Sequence, residues 1–218
     1  MNRFVATDLE GTLSAGEAWR GIAAYLTAHG RKREHQFFFA AHFVPALLAR
    51  AGILDKQTFR NQWLIDQAKL LKGSTAEELQ TLAAWVVENE LWAKQRAQVI
   101  AELKQHHDAG CAILIATGAY EPIANAFAQK MNLPNIRVLA TPLEMANGRA
   151  TGKFAGALGV DTLKAQRVRQ AIGDGKLVAA YGDTAPDVPM LEMSQEPVAV
   201  APDAALQKIA AARGWRVL

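Results

Sequence analysis

Acidic residues follow two apolar runs in this chain, and their placement is the first clue to chemistry. Phe4-Val5-Ala6-Thr7 leads into Asp8 and Glu10, and Leu177-Val178-Ala179-Ala180-Tyr181 leads into Asp183, with Asp187 four residues on. A third run, Cys111 to Ala116, ends at Thr117-Gly118, and Lys164 lies near the start of a helical stretch. Four carboxylates on one rim would repel each other, and burial would raise their pKa values. A divalent cation relieves both problems, and hard oxygen ligands suit Mg²⁺. Asp8 is then placed to act as a carboxylate nucleophile and Glu10, in an extended segment on the same side, to shuttle a proton. Thr117 and the Gly118 amide can hold phosphoryl oxygens, Lys164 can neutralise the nucleophile, and Asp183 and Asp187 can hold the ion. Phosphoryl transfer asks mainly for such positioning and charge stabilisation.

The elements that must position these residues are legible in the periodicity. A continuous apolar run at 111–116 suits a strand covered on both faces, and 4–7, 136–140, 177–181 and 197–200 read as the other strands. Helical spacing lies between them, with Val99, Ile100 and Leu103 on one face, then 121–131 and 162–172. Strands alternating with helices predict an open α/β sheet, where ligands bind beyond the carboxyl ends of the strands. From Ala15 to Ala93 the pattern is helical almost throughout. Ser74 with Glu77 and Glu78 reads as a capping box. A turn is expected at Asn147-Gly148.

Length and composition set the bounds. At about 150 residues per domain, 218 residues make one large domain or one with an insertion. Half the residues are hydrophobic and 21% are charged, as in ordinary globular chains. A net charge of +3 with one short basic run, Arg31-Lys32-Arg33, argues against a nucleic-acid surface. Cys111, the single cysteine, reads as a reduced, buried, intracellular thiol. No secretory signal is expected at Met1-Asn2-Arg3. Phe37–Ala49 falls short of the roughly 20 residues of a membrane span and reads as a buried helix. The Phe37-Phe38-Phe39 run and the five tryptophans read chiefly as core of the helical block. His35 and His42 share a helix face without a zinc pattern, and His106-His107 read as solvated. No Gly-rich dinucleotide fingerprint follows the first strand.

Taken singly, Asp8 or Asp183 would pass for a turn or cap acid; it is the joint set with Thr117 and Lys164 that points to catalysis. Asp8-Leu9-Glu10-Gly11-Thr12-Leu13, Ile115-Ala116-Thr117-Gly118, Lys164 and Gly182-Asp183-Thr184-Ala185-Pro186-Asp187 resemble the four ordered motifs of the haloacid dehalogenase-like phosphohydrolases. Their order, with a helical block of about eighty residues between the first two, is similar to the phosphoserine phosphatase-like branch (subfamily IB). Asn147–Gly152 and the segment from Pro202 to Leu218 are similar too.

The resemblance implies a Rossmann-like three-layer core over residues 1–14 and 95–218, with an inserted all-helical cap domain over 15–94. It also implies an aspartyl phosphate on Asp8. The metal would take Asp8, the Glu10 main-chain carbonyl and Asp183, with Asp187 nearby. Glu10 stands where the family usually has aspartate. Glu17 matches a glutamate that recognises the substrate amine; it also suits the first turn of a cap helix. The branch's cap arginine has no clear counterpart: Gln67 falls near that place and Arg60 a turn or two away. Lys153 is a rival to Lys164. The expectation is a cytoplasmic, Mg²⁺-dependent phosphomonoesterase acting on a small ester, phosphoserine first. It would be a monomer or homodimer without nucleic-acid or membrane partners. Phe37, Phe38, Phe39 and Phe43 offer an alternative pocket for a less polar alcohol. A phosphotransferase with the same site and a catalytically inactive binding module are the other readings. A metal-free dehalogenase would leave Asp183 and Asp187 unexplained.

Overall fold

Strands apolar on both faces need cover on both sides, and this chain provides it with two helical layers. The computed structural model describes residues 2–218. A parallel sheet is built from β1 (Arg3–Thr7), β2 (Ala112–Tyr120), β3 (Arg137–Thr141), β6 (Lys176–Gly182), β7 (Glu196–Ala199) and β8 (Arg216–Val217). Their order is β3-β2-β1-β6-β7-β8. Side chains alternate along each strand, and β6 slips by one residue opposite Phe4 and Val5. Val5, Ile113, Ile115, Ala179 and Tyr181 therefore pack on one face, with Leu103 of α5 (Ala97–Asp108) and Phe127 of α6 (Glu121–Met131). Phe4, Ala6, Leu114, Leu177 and Ala180 pack on the other face. There they meet α7 (Asp161–Ile172), α8 (Val188–Leu191) and α9 (Ala204–Arg213) through Val168, Met190 and Leu206.

Chain order reverses between β1 and β6. The chain steps outward from β1 to β2 and β3, then returns and steps outward from β6 on the other side. Crossovers leave in opposite directions from such a point, so a crevice opens beyond the strand ends. Asp8 and Asp183 are the residues that follow β1 and β6.

Between β1 and β2 run α1 (Ala18–Ala28), α2 (Lys32–Arg50), α3 (Lys56–Ala68) and α4 (Ala76–Val86). Short 3₁₀ and π turns extend α3 and α4. α4 packs on α6, and its Leu82 and Val86 join the same apolar cluster as the sheet.

Several local expectations need correcting. The capping box belongs to Thr75, not Ser74: Thr75 N–H donates to Glu78 Oε2 at 2.8 Å, and Glu78 N–H to Thr75 Oγ1 at 3.2 Å. Ser74 is unavailable because its carbonyl accepts from Ala150 N–H at 2.8 Å. That bond docks a hairpin of β4 (Leu143–Ala146) and β5 (Arg149–Phe154), of which only the turn was expected. Its turn residues Asn147 and Gly148 have φ of 51° and 76°, the left-handed pair that suits a tight two-residue hairpin.

Helix α2 is not buried: Phe37 is 76% exposed and Val44 60%, because α2 packs chiefly on α1 and α3. Of the three consecutive phenylalanines only Phe38 is buried, and Trp215 packs in the sheet region rather than among these helices. Nor are His106 and His107 solvated; both are half-buried. His106 Nε2 lies 3.0 Å from Tyr181 Oη, which donates to Glu102 at 2.9 Å, and Arg216 grips Glu102 through two nitrogens. Cys111 is buried, and no described helix is long and apolar enough to cross a membrane.

An acid-sensitive joint ties α2 to α3. Asp66 accepts from Lys69 at 2.5 Å, Gln62 at 3.0 Å and His42 at 3.1 Å. Burial alone would raise its pKa, but these three bonds outweigh it and bring it down to about 2. A depressed carboxylate pKa stabilises the fold above the unfolded value of 3.8, and that contribution fades as pH falls through about 2. Asp66→Asn is therefore expected to lower the Tm at pH 7 and to show a shallower loss of stability than wild type between about pH 4 and 2. Thermal melts of both proteins across that range measure it; parallel curves would refute it.

Candidate active site

The carboxyl end of β1 carries its ladder one residue further, with Asp8 N–H donating to Tyr181 O at 3.0 Å. The Asp8 side chain is then fixed: Oδ1 accepts from Leu9 N–H at 2.7 Å, and Oδ2 lies 3.1 Å from Lys164 Nζ. Lys164 reaches in from the first turn of α7 and also donates to Asp187 Oδ1 at 2.6 Å. Asp183 accepts from Thr12 Oγ1 at 3.0 Å. One oxygen each of Asp8, Asp183 and Asp187 lies within 4.8 Å of the others. Gly11 takes φ of +89° in the turn after β1, and a Cβ there would fall inside the Asp183 carboxylate. Only glycine allows the two strand tips to come this close.

Asp187 is fully buried and fully used. Its second oxygen accepts from the Asp183 and Thr184 N–H groups and the Thr184 hydroxyl, at 3.1–3.2 Å. It holds Lys164 and the β6 loop in place. Asp183 carries fewer bonds and is more open.

Glu10 departs from expectation. It forms an isolated bridge with Ser14 just before the turn at 11–13, and its carboxylate does not join the three aspartates. Oε1 instead accepts from Ala18 N–H at the start of α1, at 2.5 Å. Burial pushes its pKa up to about 7, against the Ala18 bond, with Asp8's charge adding to the rise.

Thr117 and Gly118 stand at the bend within β2. Thr117 is buried, with Ala119 N–H on its hydroxyl at 3.2 Å, and Gly118 packs so tightly on Val160 that a Cβ would clash. Asp8, Glu10, Thr117, Gly118, Lys164 and Arg60 line one small cavity of about 60 Å³. Lys153 is exposed on the hairpin and joins none of these pairs.

Glu17 borders a second, larger cavity, but its carboxylate is paired with Arg20 Nε at 2.5 Å. Gln67 is sealed among the helices, donating to Trp19 O at 3.1 Å, whereas Arg60 lines both cavities. Arg96 was not expected here: its Nε donates to Gly11 O at 2.9 Å and steadies the turn from a distant segment. No spacing in the sequence marks it.

The electrostatics suit a cation. Burial raises the Asp8 pKa, with Asp187 adding and Lys164 opposing. Burial and the charges of Asp8 and Asp187 push Asp183 up to about 8. Lys164 stays firmly charged because the two aspartates outweigh its desolvation. One lysine faces three acids, and the surplus negative charge sits on hard oxygens, the donor set a divalent ion prefers.

Residues 5–192 match the family model of the haloacid dehalogenase-like hydrolases. The chain belongs to that family. Phosphoserine phosphatase SerB1 of Mycobacterium tuberculosis is 31% identical, over 96% of this chain and 68% of its own. A histidinol-phosphatase of Neisseria meningitidis is also 31% identical, over 77% of this chain and 76% of its own. A protein of unknown function from Bordetella pertussis Tohama I superposes with a TM-score of 0.83 at 24% identity. That match covers 100% of this chain and 98% of the other, and it shows the shared fold. The chain is a phosphatase of this family.

Proposed function

We propose that this protein is a Mg²⁺-dependent phosphomonoesterase acting in the cytoplasm through an aspartyl phosphate on Asp8. The observation that carries this reading is the convergence of Asp8, Asp183 and Asp187 around Lys164 at the β1–β6 crevice. An ion would be held by Asp8, the Glu10 main-chain carbonyl and Asp183, with Asp187 behind them. When bound, it would supply positive charge against the phosphoryl oxygens.

Asp8 Oδ2 attacks phosphorus, and the ester oxygen leaves with the proton of Glu10. Leu9 N–H on Oδ1 and Lys164 on Oδ2 fix the orientation of the Asp8 carboxylate. Thr117 and the Gly118 amide hold the transferring oxygens, and Lys164 balances their charge. Glu10, now ionised, accepts a proton from the water that cleaves the acyl phosphate. A pKa near 7 suits a group that gives and then takes a proton at neutral pH. Phosphoserine, the substrate of the mycobacterial relative by its name, is one candidate, and histidinol phosphate, from the neisserial relative, is the other.

The direct test is Mg²⁺-dependent release of inorganic phosphate from a panel of esters, with an alkali-labile label trapped on Asp8. Release that survives EDTA, or none from any ester, overturns the reading. Label passing to an added alcohol would instead support a phosphotransferase. Glu10→Gln is expected to lower turnover by roughly 10²–10⁴-fold and to make the labelled intermediate accumulate. A rapid-quench time course measures both. Loss of turnover without accumulation would mean that formation of the intermediate is slowed at least as much as its breakdown.

A further inference from the structure

A second cavity of about 560 Å³ opens off the catalytic crevice. Its inner end is made by Glu10, Gly11 and Asp183, so it adjoins the group that would protonate the leaving oxygen. Its wall is aromatic: Trp19 from α1, Phe39 and Phe43 from α2, Phe59 and Trp63 from α3. Trp63 is the hub, with the rings of His42, Trp19, Phe39 and Phe59 centred 5.3–5.9 Å from it, at steep angles.

Three observations limit what this space can hold. Cavities of about 300–1,000 Å³ bury ligands much larger than a three-carbon amino acid, so a serine body would leave most of this one to water. On the rim, Glu17 pairs with Arg20 at 2.5 Å and His42 with Asp66 at 3.1 Å, which leaves Arg60 as a charged side chain there without an ion-pair partner among the described residues. The rest of the wall is chiefly apolar surface, since Phe39 is 41% exposed and Phe43 54%, with the Trp63 indole N–H buried among the rings and unpartnered. A planar ring covers such a wall and finds edge-to-face partners on it, whereas a flexible chain loses rotamer freedom for dispersion alone.

We propose that this cavity receives the alcohol portion of the substrate and that the alcohol carries a planar ring. The proposal rests on the phosphatase reading of the Asp8 site and deepens it.

The test uses the 218-residue protein with Mg²⁺. kcat/KM is measured for 2-phenylethyl and 2-(imidazol-4-yl)ethyl phosphate, against ethyl phosphate, n-hexyl phosphate and phosphoserine. At least one ring ester is expected to exceed ethyl phosphate by about tenfold or more, chiefly through KM. In Phe43→Ala, a half-exposed position that folding tolerates, the ring-to-ethyl ratio is expected to fall toward one. The Phe39→Ala variant repeats the measurement at a second wall position. Tryptophan fluorescence should also respond to the product alcohol 2-phenylethanol in wild type and less in both variants. Equal turnover of ring and ethyl esters, or preference for hexyl phosphate or phosphoserine, overturns the ring assignment and leaves the phosphatase standing. Absence of turnover on every ester overturns the phosphatase reading itself, and the ring assignment with it.

Discussion

Asp8→Asn is expected to stop phosphate release, by roughly 10⁴-fold or more, while leaving the metal-free protein at least as stable as wild type. The loss follows from chemistry: an amide oxygen is too weak a nucleophile to take the phosphoryl group, and the rest of the site offers no replacement. The stability follows from the geometry. Asparagine keeps an oxygen for Leu9 N–H, while Lys164 keeps its shorter bond to Asp187. It also removes one of three crowded acids whose burial disfavours ionisation. Functional sites are where such strain is retained, so removing it trades activity for stability. Phosphate release and thermal melts in EDTA measure the two halves. Retained turnover would remove Asp8 from the chemistry, and a large fall in Tm would mean that Asp8 is structural.

Lys164→Met is expected to cost about 3–5 kcal/mol in urea unfolding with EDTA, the loss typical of breaking a buried ion pair from one side. Methionine fills the space of the lysine stem but leaves Asp8 and Asp187 with no cation. Asp187 is fully buried, so water cannot replace Lys164 as its partner. Lys164 is itself raised in pKa because Asp187 and Asp8 outweigh its desolvation. A raised lysine pKa means stability fully present below 10.5 and lost only as pH climbs through the folded value, so at neutral pH the whole contribution is at stake. Added Mg²⁺ should restore part of the loss by returning positive charge to the same acids. Turnover should fall by roughly 10²–10³-fold, as when one preorganised stabiliser of transition-state charge is removed. A variant as stable as wild type in EDTA would contradict this account.

Asp8 and Asp183 were legible because strand ends are legible, and Lys164 because it stands near the start of a helix. Apolar runs that stop abruptly at Asp8, Thr117 and Asp183 announce both the buried sheet and the residues beyond it. Ser74 and Thr75 show the limit of that legibility. Both stand three residues before a glutamate, and only the pairing of Ser74 with the β4–β5 hairpin decides that Thr75 caps. Glu10 shows it again, since counting two residues from Asp8 could not foresee that the turn at Gly11 brings the start of α1 over its side chain. Its carboxylate then meets α1 rather than the other acids.

Local pattern alone determined the alternation of strands and helices, the helical segment between β1 and β2, and the residue types able to attack, protonate and bind an ion. Those follow from periodicities of two and about 3.6 residues and from side-chain chemistry, which need no knowledge of distant parts of the chain. Tertiary structure decided the strand order that brings β1 beside β6. It decided the burial that moves Glu10 to about 7 and Asp183 to about 8. It also turned Phe39 and Phe43 toward a cavity while leaving Phe37 outside. Each of these depends on contacts between segments tens of residues apart, and spacing along the chain carries no record of them.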